Sequence, residues 1–149
     1  MDSLIADSAW TALFILSFLA ATLVPLGSEW LLALLIMQKY DPTVSLLIAT
    51  SGNTLGACTT YGLGIYGSSW VTEKVLRIDP EKRLRAEQFY QRYGFWSLLF
   101  TWLPVIGDPI CLVGGILRIN FPRFVILAGL GKLARYTIVV WLALQASAS

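Results

Sequence analysis

Histidine is absent from this sequence, and residues that bind metals or act as nucleophiles are scarce. Without histidine, the common zinc-hydrolase ligand sets and the Ser-His-Asp triad are excluded. The two cysteines, Cys58 and Cys111, lie in apolar stretches and predict neither a disulfide bridge nor a metal site. A nucleophile elbow of the GxSxG type is missing as well. We therefore expect a protein that is not an enzyme and that binds no cofactor and no metal.

Charged residues and long polar intervals are also scarce. Of the 149 residues, 13% are charged and 56% are hydrophobic, and the mean hydropathy is +0.68, which is typical of an integral membrane protein. A helical span needs about 20 apolar residues. Four stretches reach that length, and the longest polar interval, 67–92, is too short to form a core of its own. The four stretches are 9–37, 43–66, 95–117 and 124–144.

This pattern predicts a single polytopic membrane domain over residues 1–145. The last four residues, 146–149, read Ala-Ser-Ala-Ser and are expected to be a tail, either a cloning remnant or a frayed end. The N-terminus has no basic region and no small-residue cleavage site, so a removed signal peptide is not expected.

The interval 67–92 is rich in basic residues, which predicts its side of the membrane. Short loops rich in Lys and Arg stay in the cytoplasm, so we place this interval there. Within it, Asp79 is expected to cap a helix that starts at Pro80 and ends at Tyr93, before Gly94. A solvated basic face that contacts anionic lipid head groups is favoured over nucleic-acid binding. The basic side chains are Lys74, Arg77, Lys82, Arg83, Arg85 and Arg92.

Two of the apolar stretches are broken by proline and glycine, and each break lies beside an acidic residue. Proline removes a backbone donor and glycine adds conformational freedom, so a helix is expected to stop there and resume as a short helix. The first stretch is predicted to be helical from about Ser8 to Val24 and again over 29–37. A helix of about nine residues covers about 13 Å, half of a hydrocarbon core, which is the length that a re-entrant hairpin needs. The break residues are Pro25 and Gly27 before Glu29, and Pro104, Gly107 and Pro109 around Asp108.

The basic turns predict how these stretches cross the membrane. Arg118 and Arg123 lie in a second basic turn that follows stretch 95–117. If this turn and the interval 67–92 are both cytoplasmic, the stretch between them enters and leaves on one side, and stretch 9–37 is its mirror image. We therefore predict an all-α integral membrane protein with two opposed re-entrant helical hairpins, full transmembrane helices and an inverted-repeat arrangement.

Four charged residues are predicted at membrane depth: Glu29, Asp108, Lys132 and Arg135. An ionisable group there costs about 3 kcal/mol on insertion scales, so it usually has a function. In one hypothesis the two carboxylates are proton-linked gates, and the two cations, three residues apart on one helix face, bind an anionic head group. In the other, the charges form static ion pairs that fix helix register. The breaks favour the first hypothesis, because a register pair needs no broken helix; an acid/base pair of an enzyme has weaker support.

Small residues recur at intervals of four along stretch 43–66. Gly52, Gly56, Thr60 and Gly64 form a stripe of small residues that lets another backbone approach closely. The sequence leaves two alternatives open for this stripe, a homodimer contact and a contact inside the chain.

The order and spacing of a larger set of residues resemble a known family. The set is Pro25, Glu29, Gly52-Asn53-Thr54-Leu55-Gly56, Tyr61, Gly62, Gly64, Gly67, Tyr93-Gly94, Pro104, Gly114-Gly115, Phe124, Gly131, Lys132, Arg135 and Trp141. Over nearly the whole chain this pattern resembles the DedA superfamily, also called SNARE-associated or VTT-domain proteins, and most closely its short YqaA-like branch. The resemblance implies opposed re-entrant hairpins in the inner membrane and movement of phospholipid or polyprenyl-phosphate between leaflets, often dependent on proton-motive force.

Glu29 matches the acid of the family's first hairpin, but the second hairpin departs from the family pattern. Relatives carry arginines around its proline, whereas this chain has Thr101 before Pro104 and Asp108 after it. If those arginines bind phosphate in relatives, Lys132 and Arg135 are the residues that would take over that role here.

The sequence therefore favours a multi-pass protein of the inner (cytoplasmic) membrane that moves a lipid or lipid-linked anion between bilayer leaflets, with proton coupling. Its expected partners are membrane lipids, either phospholipid or polyprenyl-phosphate. The alternatives are a non-transporting membrane scaffold whose buried charges are structural, and a small-ion transporter that uses the same acids.

Overall fold

The computed structural model of the chain describes residues 2–21, 28–67, 74, 79–102 and 107–149. Within these ranges the chain is almost entirely helical and contains no strand, which confirms the all-α prediction. The helices in chain order are α1 (Asp2–Ala20), α2 (Ser28–Met37), α3 (Pro42–Tyr66), α4 (Pro80–Tyr93), a 3-10 helix (Gly94–Trp102), α5 (Gly107–Ile116) and α6 (Phe121–Ala148).

Two of these helices are long and apolar enough to cross a membrane, namely Ser3–Ala20 within α1 and the whole of α6. α3 has 25 residues and is long enough as well, but its glycines and polar side chains keep it out of this group. Large apolar side chains such as Trp30, Ile126 and Trp141 are exposed on the helix surfaces. Such exposure is expected where lipid tails replace water.

The long helices after turns begin at Asx caps followed by proline. Asp41 Oδ1 accepts hydrogen bonds from the backbone N of Thr43 at 2.8 Å and of Val44 at 3.0 Å, and Pro42 opens α3. Asn120 caps α6 in the same way through the backbone N of Arg123. These side chains satisfy amides that have no partner inside the helix, and proline has no such amide to satisfy.

The bounds predicted for α4 and the position of Asp79 as its N-cap are confirmed, but the Asp79 side chain does not cap the helix. The helix starts at Pro80 and ends at Gly94, whose φ of +63° is one that glycine adopts without strain. The Asp79 side chain makes no capping hydrogen bond and instead lies 3.7 Å from the Lys82 ammonium. The ammonium competes for the carboxylate that the helix amides would otherwise bind.

Two predicted segments differ from the structure. α1 begins at Asp2 rather than near Ser8, because acidic residues are favourable in the first turns of a helix. Residues 94–102 form a 3-10 helix, which rises about 2.0 Å per residue and so covers more membrane depth per residue than an α-helix. The predicted continuation of α1 to Val24, and the break residues Pro25, Gly27 and Pro104, lie outside the described residues.

The chain consists of two halves with the same order of elements. Each half has a first helical segment (α1 or the 3-10 helix), a ten-residue helix (α2 or α5) and a long helix (α3 or α6). Each first segment packs against the long helix of its own half, whereas each short helix packs against the long helix of the other half: α2 on α6 and α5 on α3. The α3–α6 contact joins the halves at the centre.

The glycine stripe of α3 is used inside the chain. A Cβ at Gly52 would lie 2.6 Å from the Phe14 carbonyl oxygen, and one at Gly56 would lie 2.5 Å from that of Phe18, so α1 crosses α3 at these two glycines. Gly64 faces α5, where a Cβ would overlap backbone atoms. Of the two alternatives for the stripe, the contact inside the chain is the one observed.

The basic helix α4 neutralises much of its own charge. Three of its basic side chains form ion pairs with acids one turn away on the same segment, and these pairs are Lys82 with Asp79, Arg83 with Glu87, and Arg85 with Glu81. Arg92 lies over the ring of Tyr93, 5.5 Å from its centroid. Attraction of this helix to anionic head groups stays a prediction, but less of its positive charge is available for it than the sequence indicates.

Candidate functional site

An ion pair joins the start of α2 to the middle of α6. Glu29, the second residue of α2, pairs through Oε1 with Nη2 of Arg135. The two side chains are 21% and 24% exposed, so the pair is partly buried and is shielded from full hydration. A carboxylate in the first turn of a helix is also favoured by the helix dipole. The contact therefore holds the short helix of the first half against the long helix of the second.

The other cation of α6 has a different kind of partner. Lys132 is only 3% exposed, and its ammonium donates a hydrogen bond to Oδ1 of Asn53 on α3. An amide oxygen satisfies the donor but does not neutralise the charge. Among the described residues no carboxylate forms an ion pair with Lys132, although burial of a charged ammonium is costly unless an anion compensates it.

A buried polar network continues from Asn53 to the first residue of α2. Asn53 Nδ2 donates to the carbonyl oxygen of Ser17 at 3.2 Å and to the hydroxyl of Tyr136 at 3.0 Å. The Tyr136 hydroxyl is in turn 2.7 Å from Oγ of Ser28, and both groups are buried. Ser28 immediately precedes Glu29, and Tyr136 immediately follows Arg135. The network and the ion pair therefore join the same two helices side by side.

Asp108 is the second residue of α5 and lies at the edge of this group of charges. It is partly buried and interacts electrostatically with Lys132, Arg135 and Glu29, but it forms no ion pair within the described ranges. Its neighbours Gly107 and Pro109 are buried in the first turn of α5. Proline in this turn lacks an amide that would have no helical partner anyway, so Pro109 opens α5 and does not break it.

The structure thus brings Glu29, Lys132 and Arg135 together. Asp108 lies close enough to interact electrostatically with all three. The static-pair hypothesis requires a carboxylate beside Lys132, whereas the structure places a neutral amide there. The described residues contain no cluster of three or more His, Cys, Asp or Glu side chains that would suit a metal ion. What the site offers is a buried lysine beside a partly buried Glu29–Arg135 ion pair.

Sequence reasoning overlooked two members of the network, Tyr136 and Ser28. The signal for Tyr136 was its position four residues after Lys132, which places both side chains on one face of α6. Asn53 belongs to the set of residues that carries the family resemblance, but the sequence gives it no partner; in the structure it bonds to both α1 and α6.

The comparisons with known proteins agree on one family. The family model of the VTT domain matches residues 24–144. The chain is 39% identical over 129 residues to the inner membrane protein YqaA of Escherichia coli, with 86% of each chain covered. It is 38% identical over 140 residues to an uncharacterized protein of Haemophilus influenzae, covering 87% of this chain and 84% of the relative.

A more distant relative is an alkaline phosphatase-like protein of Lactococcus lactis, 31% identical over 106 residues, which are 65% of this chain and 50% of the relative. No solved structure matches the chain.

Proposed function

This chain belongs to the VTT-domain family, also called the DedA family, and on that premise we propose that it moves a lipid or lipid-linked anion between the leaflets of the membrane. The proposal places it in the inner membrane, like its relative from Escherichia coli, as a protein that crosses the bilayer more than once. Proteins of this family are generally not enzymes, and transport is the activity that suits the described site.

One observation carries this proposal: Lys132 is a buried cation whose bonded partner is a neutral amide. A device that only fixed helix register would need a carboxylate at this position, because an uncompensated buried charge is destabilising. A site that binds an anion needs the opposite, a positive charge that stays unneutralised until the anion arrives. A phosphate-bearing head group has the charge and the acceptor oxygens to fill it.

The Glu29–Arg135 pair supplies the switch in this proposal. Protonation of Glu29 would remove the charge that holds Arg135, and the guanidinium would then bind phosphate through two parallel hydrogen bonds. Because the pair joins α2 to α6, the same event would loosen the short helix from its neighbour. Asp108, within the field of both cations, is proposed as the second proton-linked group.

The packing of the two halves supports two opposed re-entrant hairpins related as an inverted repeat. The halves share one order of elements, and each short helix lies on the long helix of the other half. In transporters built from inverted repeats, the substrate site lies at mid-membrane where the repeats meet. Here that junction is where α2, α3 and α6 contribute their polar side chains.

A scaffold is the second candidate, and the ion pair between α2 and α6 is the observation that favours it, since a static pair fixes register equally well. A small-ion transporter that uses the same acids is the third. Neither of these accounts for a buried lysine that is held by an amide.

The test is leaflet exchange of labelled phospholipid in proteoliposomes, with and without a pH gradient. Wild type is compared with Glu29→Gln, with the charge reversal Glu29→Arg plus Arg135→Glu, and with Glu81→Gln. The last variant removes a carboxylate from a surface pair with Arg85 on α4 and is the matched control.

Transport predicts exchange by wild type and by the control, and loss of exchange in both Glu29 variants. Exchange that survives charge reversal would make the pair structural. No exchange by folded wild type would overturn the lipid proposal, and a pH-sensitive dye in the same vesicles would then separate a small-ion transporter from a scaffold.

A further inference from the structure

Asn53 lies on α3 between α1 and α6, and all of its side-chain bonds cross to one of these two helices. The residue is buried at 8% exposure. Its amide nitrogen donates to α1 through the Ser17 carbonyl oxygen and to α6 through the Tyr136 hydroxyl, and its amide oxygen accepts from Lys132. A side chain with this many partners is held in a single orientation.

The chemistry of the partners determines which end of the amide faces Lys132. The Ser17 carbonyl can only accept a hydrogen bond, so the NH₂ group must face it, and an ammonium can only donate, so the amide oxygen must face Lys132. The assignment of nitrogen and oxygen therefore follows from the network and has no alternative.

The Tyr136 hydroxyl continues the network toward α2. It accepts a bond from Asn53 Nδ2 and lies 2.7 Å from Oγ of Ser28. Either hydroxyl can donate in this second bond, because a hydroxyl oxygen has two lone pairs. The chain of bonds runs from Lys132 through Asn53 and Tyr136 to the residue beside Glu29.

The two cations of α6 are consequently held in opposite ways. Arg135 faces the carboxylate of Glu29, whereas Lys132, one turn away, faces an amide that satisfies its hydrogen bond and leaves its charge intact. We propose that Asn53 is a positioning residue that holds Lys132 without an ion-pair partner for a phosphate-bearing anion, and that the Ser17 carbonyl oxygen and the Tyr136 hydroxyl hold the Asn53 amide in place.

This inference rests on the proposed transport function and deepens it, because it assigns the anion specificity of the site to a neutral residue. An amide oxygen is a weaker partner for an ammonium than a phosphate oxygen, since the second bond is charge-assisted. An arriving head group would therefore displace Asn53 from Lys132. A carboxylate at position 53 would instead compete with the head group for the same cation.

The test is Asn53→Asp, alone and combined with Lys132→Met, together with Tyr136→Phe. Exchange is measured for anionic phosphatidylglycerol and for zwitterionic phosphatidylcholine in the same proteoliposomes. Tyr61→Phe is the matched control, because it also removes a hydroxyl bonded on α3, to the Ile119 carbonyl oxygen, but lies outside the network.

We expect Asn53→Asp to lower exchange of the anionic lipid about tenfold or more, with a smaller effect on the zwitterionic one. In the Lys132→Met background the same substitution should have no further effect, because it acts through Lys132. Tyr136→Phe should give a partial loss of the same selectivity, and Tyr61→Phe none. Equal losses for both lipids, or losses that multiply in the double variant, would overturn the inference and indicate a structural role only.

A second readout separates failure of this inference from failure of the transport proposal. The shift in melting temperature that each detergent-purified variant shows with short-chain phosphatidylglycerol, and with inorganic phosphate, reports anion binding without transport. A shift in wild type that Asn53→Asp loses supports the positioning role even if wild type exchanges no lipid. A shift with phosphate alone would identify a phosphate site without lipid specificity, and an equal shift in both proteins would contradict the inference.

Discussion

The short helices α2 and α5 share a sequence pattern, but they contact the rest of the protein in different ways. Each has ten residues, follows a stretch of sequence that contains proline and carries an acid at its second position. In α5, eight of the ten residues are buried; in α2, four are. The acid of α2 forms an ion pair with α6, whereas the acid of α5 forms none in the part of the chain that is described.

The difference lies in what each helix packs against. α5 lies against α3 through backbone contacts at Gly64 and Gly115, where no side chain intervenes. α2 lies against α6 through side chains, an ion pair and the Ser28–Tyr136 hydrogen bond, and its outer face exposes Trp30 and Leu34. Backbone packing fixes a helix, whereas polar side-chain contacts can be exchanged. We therefore assign the moving part of the site to α2 and the fixed part to α5.

The largest effect is expected where α5 meets α3. Gly115→Val would place two methyl groups into the backbone of Tyr61, which cannot move away, so we expect a loss of at least about 3 kcal/mol of folding free energy. Gly62→Ala is the control, because a Cβ there meets nothing within 4 Å. Unfolding by SDS in mixed micelles measures both. A Gly115→Val protein as stable as wild type would show that the α3–α5 contact is not close.

The next largest effect on stability is expected from truncation of apolar side chains, which should cost more in α5 than in α2. Ile110→Ala in α5 leaves a cavity in the core and should cost about 2–4 kcal/mol. Leu34→Ala on the exposed face of α2 should cost less than about 1 kcal/mol, because lipid or detergent replaces the lost methyl groups. Equal costs in the same SDS titration would remove the distinction between a fixed and a movable helix.

Neutralising the two acids should have unequal effects on stability. Glu29→Gln takes the carboxylate away from Arg135 and should cost about 1–3 kcal/mol, less than a fully buried pair because both groups are partly exposed. Asp108→Asn removes no ion pair in the described structure and should change stability by less than about 1 kcal/mol. Melting temperatures in one detergent give the comparison, and a larger loss for Asp108→Asn would reverse our assignment.

The most local effect is expected from a single hydroxyl. Tyr136→Phe removes hydrogen bonds to Ser28 and Asn53 and should cost about 1–2 kcal/mol. Because the first bond lies at the start of α2, amide hydrogen exchange should quicken in α2 and stay unchanged in α5. Faster exchange in both helices, or in neither, would contradict the idea that this bond holds α2 selectively.

Much of the fold could be predicted because short stretches of sequence determine where its helices begin, end and pack. Proline and glycine defined α4, apolar length defined α6, and regular glycine spacing defined the stripe on α3. The resemblance to the family covered nearly the whole chain, and the family is confirmed. The partner of Lys132 could not be predicted in this way, because Asn53 is 79 positions away and the choice of an amide over a carboxylate depends on how α3 and α6 cross.

The pairing of the two hairpin acids, Glu29 and Asp108, could not be predicted from the sequence either. Glu29 and Asp108 occupy equivalent sequence positions, so charge and position alone do not distinguish them. The structure separates them, because Glu29 forms an ion pair with Arg135 and Asp108 forms none within the described residues. Their roles as proton-linked gates stay predictions that depend on transport measurements.

The measurement that tests the central claim most directly is leaflet exchange of labelled polyprenyl-phosphate and phosphatidylglycerol in proteoliposomes, with wild type and Lys132→Met side by side. The account predicts exchange by wild type and its loss in a variant that is folded and correctly inserted, because the buried cation is the ligand of the head group. Exchange at the wild-type rate in Lys132→Met would contradict it, and the buried lysine would then be a structural residue.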